Sequence, residues 1–245
     1  PFNHQKLRDP MRRLRVFVIS AAFVFTSTVC RAKEILTNQV IMPNAPHWLN
    51  ATQVEKVANR IQYKLEWSTR RVKTQWYTSQ ADFEKVHGHG SALVAATISA
   101  PEKTEIHLGP KVQRDNFDAI FGHELVHVII YQKYKSTIPK WLEEGLANHL
   151  SKSKKVDYKW LAKHPFPKDV KELAHPLKGD PLQLQYRYRA SQALAEMLDR
   201  KCGLDNLIRL SVERKMENYI KTYCEIDDLN QAYQKWVKTK AALKS

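Results

Sequence analysis

The sequence predicts an α+β fold, with a small mixed sheet in its N-terminal half and a mostly helical C-terminal half. Three observations support this prediction. Strand-like and helix-like segments alternate as far as Gly109, and apolar residues recur at helical spacing through most of the chain beyond it. No internal repeat, low-complexity block or Gly/Ser-rich linker divides the chain. With 245 residues, 43% of them hydrophobic, the chain can bury one sizeable core.

The first 32 residues have the order of a secretory signal peptide. A basic segment at Met11–Arg15 precedes an apolar run at Val16–Val29, and the small-residue site Cys30–Ala32 follows. We expect residues 1–32 to be a leader and signal peptide and residues 33–245 to be the folded domain, periplasmic or secreted, with no stable membrane span after cleavage. A single membrane anchor is the alternative, although the run is shorter than the roughly 20 residues that cross a bilayer.

The chain is strongly basic. Its net charge is +15, and removal of residues 1–32 leaves 34 basic and 24 acidic side chains, or +10. Such a charge can attract nucleic acid, anionic lipid or acidic cell-wall polymer. The Lys and Arg residues are spread along the sequence and form no tract with interleaved aromatic residues, so we expect no specific nucleic-acid partner.

The remaining elements of the N-terminal half follow in order. A strand is expected at Gln39–Met42, with a Pro-containing turn after it, and apolar spacing predicts a helix over Ala51–Trp67. Further strands are expected at Arg71–Tyr77, Ala92–Ser99 and Thr104–Leu108. Between them, a Gly-rich turn carries His87 and His89, which either are exposed or form a second metal site.

The C-terminal half is predicted to be mostly helical. A long helix is expected from Phe117, with Asp115 or Asn116 as its cap, and another over Pro139–Leu150. A Pro-rich irregular stretch separates these from three more helices, near Gln185–Lys201, Leu204–Lys215 and Ile226–Lys240. Cys202 and Cys224, the only cysteines after the leader, form either a disulfide or two buried thiols.

His123-Glu124-Leu-Val-His127 is an HExxH motif inside the helix expected from Phe117. Residues four apart share a helix face, so both imidazoles can bind one metal ion while Glu124 reaches a water on that ion. The flanking residues are apolar and predict a buried helix, in which polar side chains need partners. A metal ion supplies that partner, and a structural helix with two hydrogen-bonded histidines is the alternative.

A second motif, Trp141-Leu-Glu-Glu-Gly-Leu-Ala147, follows after a short gap. Two histidines and one glutamate form an established zinc ligand set that keeps a fourth position for water. The gap lets a second helix pack against the first and bring the Glu144 carboxylate to the histidines. Gly145 is expected to let these two helices approach closely.

HELVH followed by WLEEGLA resembles the gluzincin superfamily of zinc metallopeptidases, in particular the peptidase MA-like domains and, more distantly, gluzincin aminopeptidases and thermolysin-like enzymes. The resemblance covers residues 90–200 and is specific in its two motifs. It implies a thermolysin-like zincin core with the sheet packed on the HExxH helix. It also implies Zn²⁺ held by His123, His127 and Glu144, with Glu143 the weaker candidate for third ligand, and Glu124 as the general base.

The resemblance implies two further roles. Asn148 stands one turn after Glu144, where thermolysin-like enzymes have an acid that orients a ligand histidine. Tyr188 falls where the related aminopeptidases carry the tyrosine that hydrogen-bonds the oxyanion, and Tyr186 is its rival. A packing role is the alternative for either tyrosine.

The implied activity is zinc-dependent hydrolysis of a peptide or protein substrate. The acidic motif by which the related aminopeptidases bind a substrate N-terminus does not occur before HELVH, so we expect an endopeptidase. Thr104–Leu108 resembles the edge strand along which gluzincin substrates lie, with a plain structural strand as the alternative. A zinc-bound but inactive domain that binds peptide or cell-envelope polymer is the alternative function.

Overall fold

The computed structural model describes residues 33–243 apart from residues 68, 89, 92, 101–102, 136, 152–153, 175–179 and 212–214. The expected leader and signal peptide and the turn residue His89 lie outside the described residues. No helix in the described ranges combines the length and apolar character needed to cross a membrane.

The described chain has the expected mixed α+β architecture. Five strands form one sheet: β1 (Lys33–Leu36), β2 (Val40–Ala45), β3 (Val72–Trp76), β4 (Ala95–Ala100) and β5 (Lys103–Leu108). Their order is β1-β2-β3-β5-β4, with parallel pairing of β2 to β3 and of β3 to β5 and antiparallel pairing at both ends. The sheet is therefore mixed, as the sequence predicts.

Helices fill the rest of the described chain and dominate after β5. They are α1 (Ala51–Leu65), α2 (Gln80–His87), α3 (Phe117–Ile129), α4 (Lys140–Leu150), α5 (Tyr158–Leu161), α6 (Pro181–Cys202), α7 (Leu204–Leu210), α8 (Met216–Tyr223) and α9 (Leu229–Ala242). A π-helical turn, Ile130–Tyr134, extends α3, and a 3₁₀ turn covers Val170–Leu173. The sequence analysis missed β1, α2, α5 and α8.

α3 runs through the centre of the fold. It packs against β4 and β5, against α1 and against α4. Leu125, Val126 and Val128 are fully buried, so the apolar residues around the HExxH motif form core contacts as expected. Asn116 stands at the cap position of α3, but its side chain makes no capping bond, because its Oδ1 accepts from the Gln113 backbone N–H at 2.7 Å instead.

The edge strand beside α3 differs from the expectation. β5, which contains Thr104–Leu108, lies inside the sheet between β3 and β4, so β4 is the edge. The strand itself is confirmed, but its resemblance to an edge strand is wrong, and the alternative of a plain structural strand is the one observed. Ile106, His107 and Leu108 are all buried, whereas an edge strand with one solvated face would alternate.

Gly145 also has a different neighbour from the one expected. A Cβ at this position would meet the backbone oxygen of Ser191 in α6 at 2.0 Å, so the close approach it allows is between α4 and α6. The expectation that Gly145 faces α3 is wrong, because Glu144 faces α3 and consecutive helical residues point about 100° apart.

Cys202 and Cys224 form a disulfide, with their Cα atoms 5.0 Å apart. It ties the last residue of α6 to the residue after α8. Of the two alternatives left open by the sequence, the disulfide is the one observed.

Candidate metal centre

Three side chains from α3 and α4 converge. His123 and His127 lie one turn apart on α3, and their Nε2 atoms are 3.1 Å from each other. Glu144 reaches both from α4, with its Oε2 3.3 Å from His123 Nε2 and its Oε1 3.5 Å from His127 Nε2. This is the cluster of potential metal ligands found among the described residues. The structure therefore brings together the three ligands expected from the sequence.

The opposite ring nitrogens are held by side-chain oxygens. His123 Nδ1 lies 3.1 Å from Asn148 Oδ1, and His127 Nδ1 lies 2.9 Å from Glu143 Oε1. Both oxygens accept a hydrogen bond, so each Nδ1 is the donor, and in the neutral rings the Nε2 atoms present lone pairs. Two lone pairs and a carboxylate then face one another, an arrangement that positive charge between them would stabilise.

The spacing of these atoms suits a tetrahedral ion. Donors bound 2.0–2.1 Å from a tetrahedral zinc ion lie about 3.3–3.4 Å from one another. The two Nε2 atoms are 3.1 Å apart, and each lies near one oxygen of Glu144, His123 Nε2 3.3 Å from Oε2 and His127 Nε2 3.5 Å from Oε1, all close to that distance. Imidazole nitrogens with one carboxylate oxygen also form the donor set of hydrolytic zinc sites. The residues present therefore fit Zn²⁺ in number, chemistry and spacing.

The electrostatic field of the site favours positive charge. Burial lowers the pKa of His127, but the charge of Glu144, the hydrogen bond that His127 donates to Glu143 and the charge of Glu124 outweigh burial and raise the pKa to about 9. Burial also raises the pKa of Glu143, yet His127 and Lys140, which both hydrogen-bond its carboxylate, hold that pKa below its usual value. The carboxylates thus create a potential that attracts a cation.

Glu124 is held in place by the edge strand. Its side chain is 7% exposed, and Thr97 Oγ1 of β4 donates a hydrogen bond to its Oε2 at 2.7 Å. The carboxylate lines the same cleft as both histidines and Glu144. A hydrogen bond from a neutral hydroxyl orients the carboxylate and leaves its other oxygen available as a proton acceptor.

Tyr188 and Tyr186 lie in different surroundings. Tyr188, on α6, lines the cleft with the three ligands, and burial together with Glu144 and Glu124 raises its pKa, so its hydroxyl stays protonated. Tyr186 packs beside the His164 ring, at 5.7 Å between centroids, and does not line the cleft. Of the two candidates, the structure places Tyr188 beside the ligands.

The cleft has a volume of about 770 Å³. It is lined by Ala95–Ser99 of β4, by residues of α3 and α4, and by Tyr188 of α6. His87, the last residue of α2, also lines it and packs against the Phe83 ring at 4.4 Å. His87 is not part of the metal-ligand cluster, and nothing among the described residues supports a second metal site there.

Sequence reasoning missed two residues of this centre. Glu143 was considered only as a weaker third ligand, but it orients His127; its position immediately before Glu144 was the available signal. Thr97 carried no sequence signal, because its contact with Glu124 depends on how β4 crosses α3. Searches with protein-family models and among curated proteins found no match to this chain.

Proposed function

We propose that this protein is a zinc-dependent endopeptidase that acts in the periplasm or outside the cell. The observation that carries the proposal is the convergence of His123, His127 and Glu144 at spacings suited to zinc, with the Glu124 carboxylate beside them. A hydrolytic zinc site needs three protein ligands, an open coordination position and a nearby base. Three candidate ligands and a candidate base line the same cleft, which supports the proposal.

The residues have distinct roles in the proposed reaction. When bound, zinc supplies a Lewis acid that lowers the pKa of water and polarises a carbonyl. Glu124 accepts the proton of the attacking water and passes it to the departing amine. Thr97 keeps the Glu124 carboxylate directed into the cleft. Tyr188, protonated because its pKa is raised, donates a hydrogen bond to the oxygen that gains negative charge.

An extended peptide suits the shape of the cleft. β4 is an edge strand, and five consecutive residues, Ala95–Ser99, line the cleft wall. In the described part of the chain no strand pairs with its outer side, so its backbone can pair with a peptide main chain. A groove along a strand accommodates an internal segment of a polypeptide, which supports an endopeptidase.

The proposed location rests on two features. The order of charged and apolar residues in 1–32 is typical of an export signal. The disulfide between Cys202 and Cys224 suits an oxidising compartment, since such bonds are rare in the cytosol.

The direct test is cleavage of an unstructured protein by purified enzyme with zinc. We expect internal fragments by mass spectrometry, loss of cleavage on chelation and recovery with zinc. Glu124→Gln should abolish cleavage while zinc stays bound, whereas Glu172→Gln, at an exposed position outside the cleft, should cleave normally. Bound zinc without cleavage in the wild type would instead favour a binding domain.

Metal content tests the ligand set. We expect about one zinc per wild-type chain and a large loss in Glu144→Ala, because two histidines alone bind zinc weakly. Glu172→Ala is the matched control. Equal zinc content in both variants would show that Glu144 is not a ligand.

A further inference from the structure

A second hollow adjoins the cleft behind Tyr188. It has a volume of about 340 Å³ and is lined by Lys154, Arg189, Asn148, Gln185, Gln192 and Tyr188, together with an alanine. Tyr188 also lines the cleft, and Asn148 contacts the His123 ring. The hollow therefore lies one side chain away from the proposed metal ligands.

One face of α6 forms its wall. Gln185, Tyr188, Arg189 and Gln192 follow the i, i+3, i+4, i+7 spacing that places residues on a single helical face. This face is polar, whereas the buried face of α6 carries Ala190, Ala193, Leu194, Met197 and Leu198. A polar stripe on a helix that is otherwise packed into the core suits contact with water or a polar ligand.

The charges in the hollow have one sign. Its lining has two cations and three amides and, within the described residues, no carboxylate. The next segment of the chain, residues 155–171, has five further lysines against two aspartates, so the chain beside Lys154 is also positively charged. The cleft differs, because it contains Glu124, Glu143 and Glu144.

A small network joins the Arg189 side chain to the backbone of Lys154. Arg189 Nη1 and Gln192 Nε2 both donate to the Lys154 backbone oxygen at 3.0 Å, which anchors that segment to α6. Gln192 is 7% exposed and therefore buried, whereas Lys154 is exposed and Arg189 is half-buried. This bond uses one of the five N–H donors of the guanidinium, a group whose planar shape suits a carboxylate.

We propose that this hollow binds a carboxylate of the substrate. The protein would then favour peptides with an acidic group close to the scissile bond on the Tyr188 side of the cleft. The carboxylate belongs either to an Asp or Glu side chain or to the C-terminus of the peptide. The inference rests on the proposed peptide hydrolysis and adds a preference to it.

The test compares three short dye-labelled peptides that are identical except at one central residue and at the C-terminus. The first has a Glu near its centre and an amidated C-terminus, the second has Gln and a free C-terminus, and the third has Gln and an amidated C-terminus. Binding is measured by fluorescence anisotropy to zinc-loaded Glu124→Gln. We expect the first or the second peptide to bind about tenfold more tightly than the third, as a hydrogen bond to a charged group provides. Whichever peptide binds more tightly identifies the source of the carboxylate.

Variants locate the effect. The quantity compared is the ratio between the affinity for the tighter-binding carboxylate peptide and the affinity for the third peptide. In the Glu124→Gln background, Arg189→Gln should bring this ratio close to one, while Arg200→Gln, at an exposed position of the same helix, should leave it unchanged. Lys154→Gln, an exposed side chain, should reduce the ratio and covers the case in which Arg189→Gln fails to fold. Equal affinity for all three peptides, or an unchanged ratio in both variants, would overturn the inference.

The binding assay distinguishes a failure of the proposed hydrolysis from a failure of the proposed carboxylate site. If the wild type cleaves nothing but the carboxylate peptides still bind more tightly, the proposed hydrolysis fails and the carboxylate site stands. If the wild type cleaves all three peptides with equal kcat/KM and binding shows no difference, the hydrolysis stands and the carboxylate site fails.

Discussion

Replacing Gly145 by alanine tests the packing that presents Glu144 to the histidines. The added Cβ would stand 2.0 Å from the Ser191 backbone oxygen, whereas ordinary contact begins at 3.4 Å, so α4 and α6 would have to separate by about 1.4 Å. Alanine gains about 1 kcal/mol in helix propensity over glycine. Overpacking costs about 1–3 kcal/mol or more, and the upper end applies because the clash is with backbone. We expect a net loss of about 2 kcal/mol in the free energy of unfolding.

Urea unfolding with the disulfide intact measures this loss, and Gly122→Ala is the matched control. Gly122 also lies within a helix, but its Cβ would meet the Arg60 guanidinium at 3.2 Å and other atoms only at 3.4 Å, and a side chain can move. Its stability should stay within about 1 kcal/mol of wild type, because the propensity gain offsets a mild contact. Gly145→Ala should also bind zinc less tightly, since Glu144 moves with α4. Equal unfolding midpoints for the two variants would refute this account of α4–α6 packing.

Three further substitutions test the surroundings of the metal. Glu143→Gln should weaken zinc binding about 10- to 100-fold in a chelator competition, because it weakens the hydrogen bond that orients His127. Thr97→Val should lower kcat about tenfold with zinc content unchanged, because it removes the hydroxyl that directs Glu124. Tyr188→Phe should lower kcat about 10²- to 10³-fold without loss of zinc, whereas Tyr186→Phe should leave kcat within about twofold; equal effects of the two would contradict the role given to Tyr188.

The parts of the centre that depend on helical periodicity were predictable from the sequence. His123 and His127 share a face because they are four residues apart, and Asn148 joins them because it stands one turn after Glu144. These relations hold in any α-helix, whatever surrounds it. The sequence therefore indicated which side chains of each helix would share a face before the packing of α3 and α4 was known.

Relations between distant segments could not be predicted in the same way. The strand order β3-β5-β4 puts Thr104–Leu108 inside the sheet, although its sequence pattern alternates as an exposed strand does. Thr97 meets Glu124 only because β4 crosses α3 at that residue. The lysines of residues 154–171 look dispersed in the sequence, yet Lys154 is anchored against α6 beside the cleft. Each of these depends on tertiary packing, which local patterns do not encode.

Glu143, Glu144 and Gly145 show why a short motif can carry so much structural information. Because consecutive helical residues point about 100° apart, the three face three different neighbours. Glu143 binds the Nδ1 of His127, Glu144 faces the Nε2 atoms, and Gly145 lies against the Ser191 backbone of α6. Close packing at Gly145 limits the movement of α4, and α6 in turn carries Tyr188. A shift of α4 would therefore change the ligand position, the histidine orientation and the distance to Tyr188 together, so these three adjacent residues act as one structural unit.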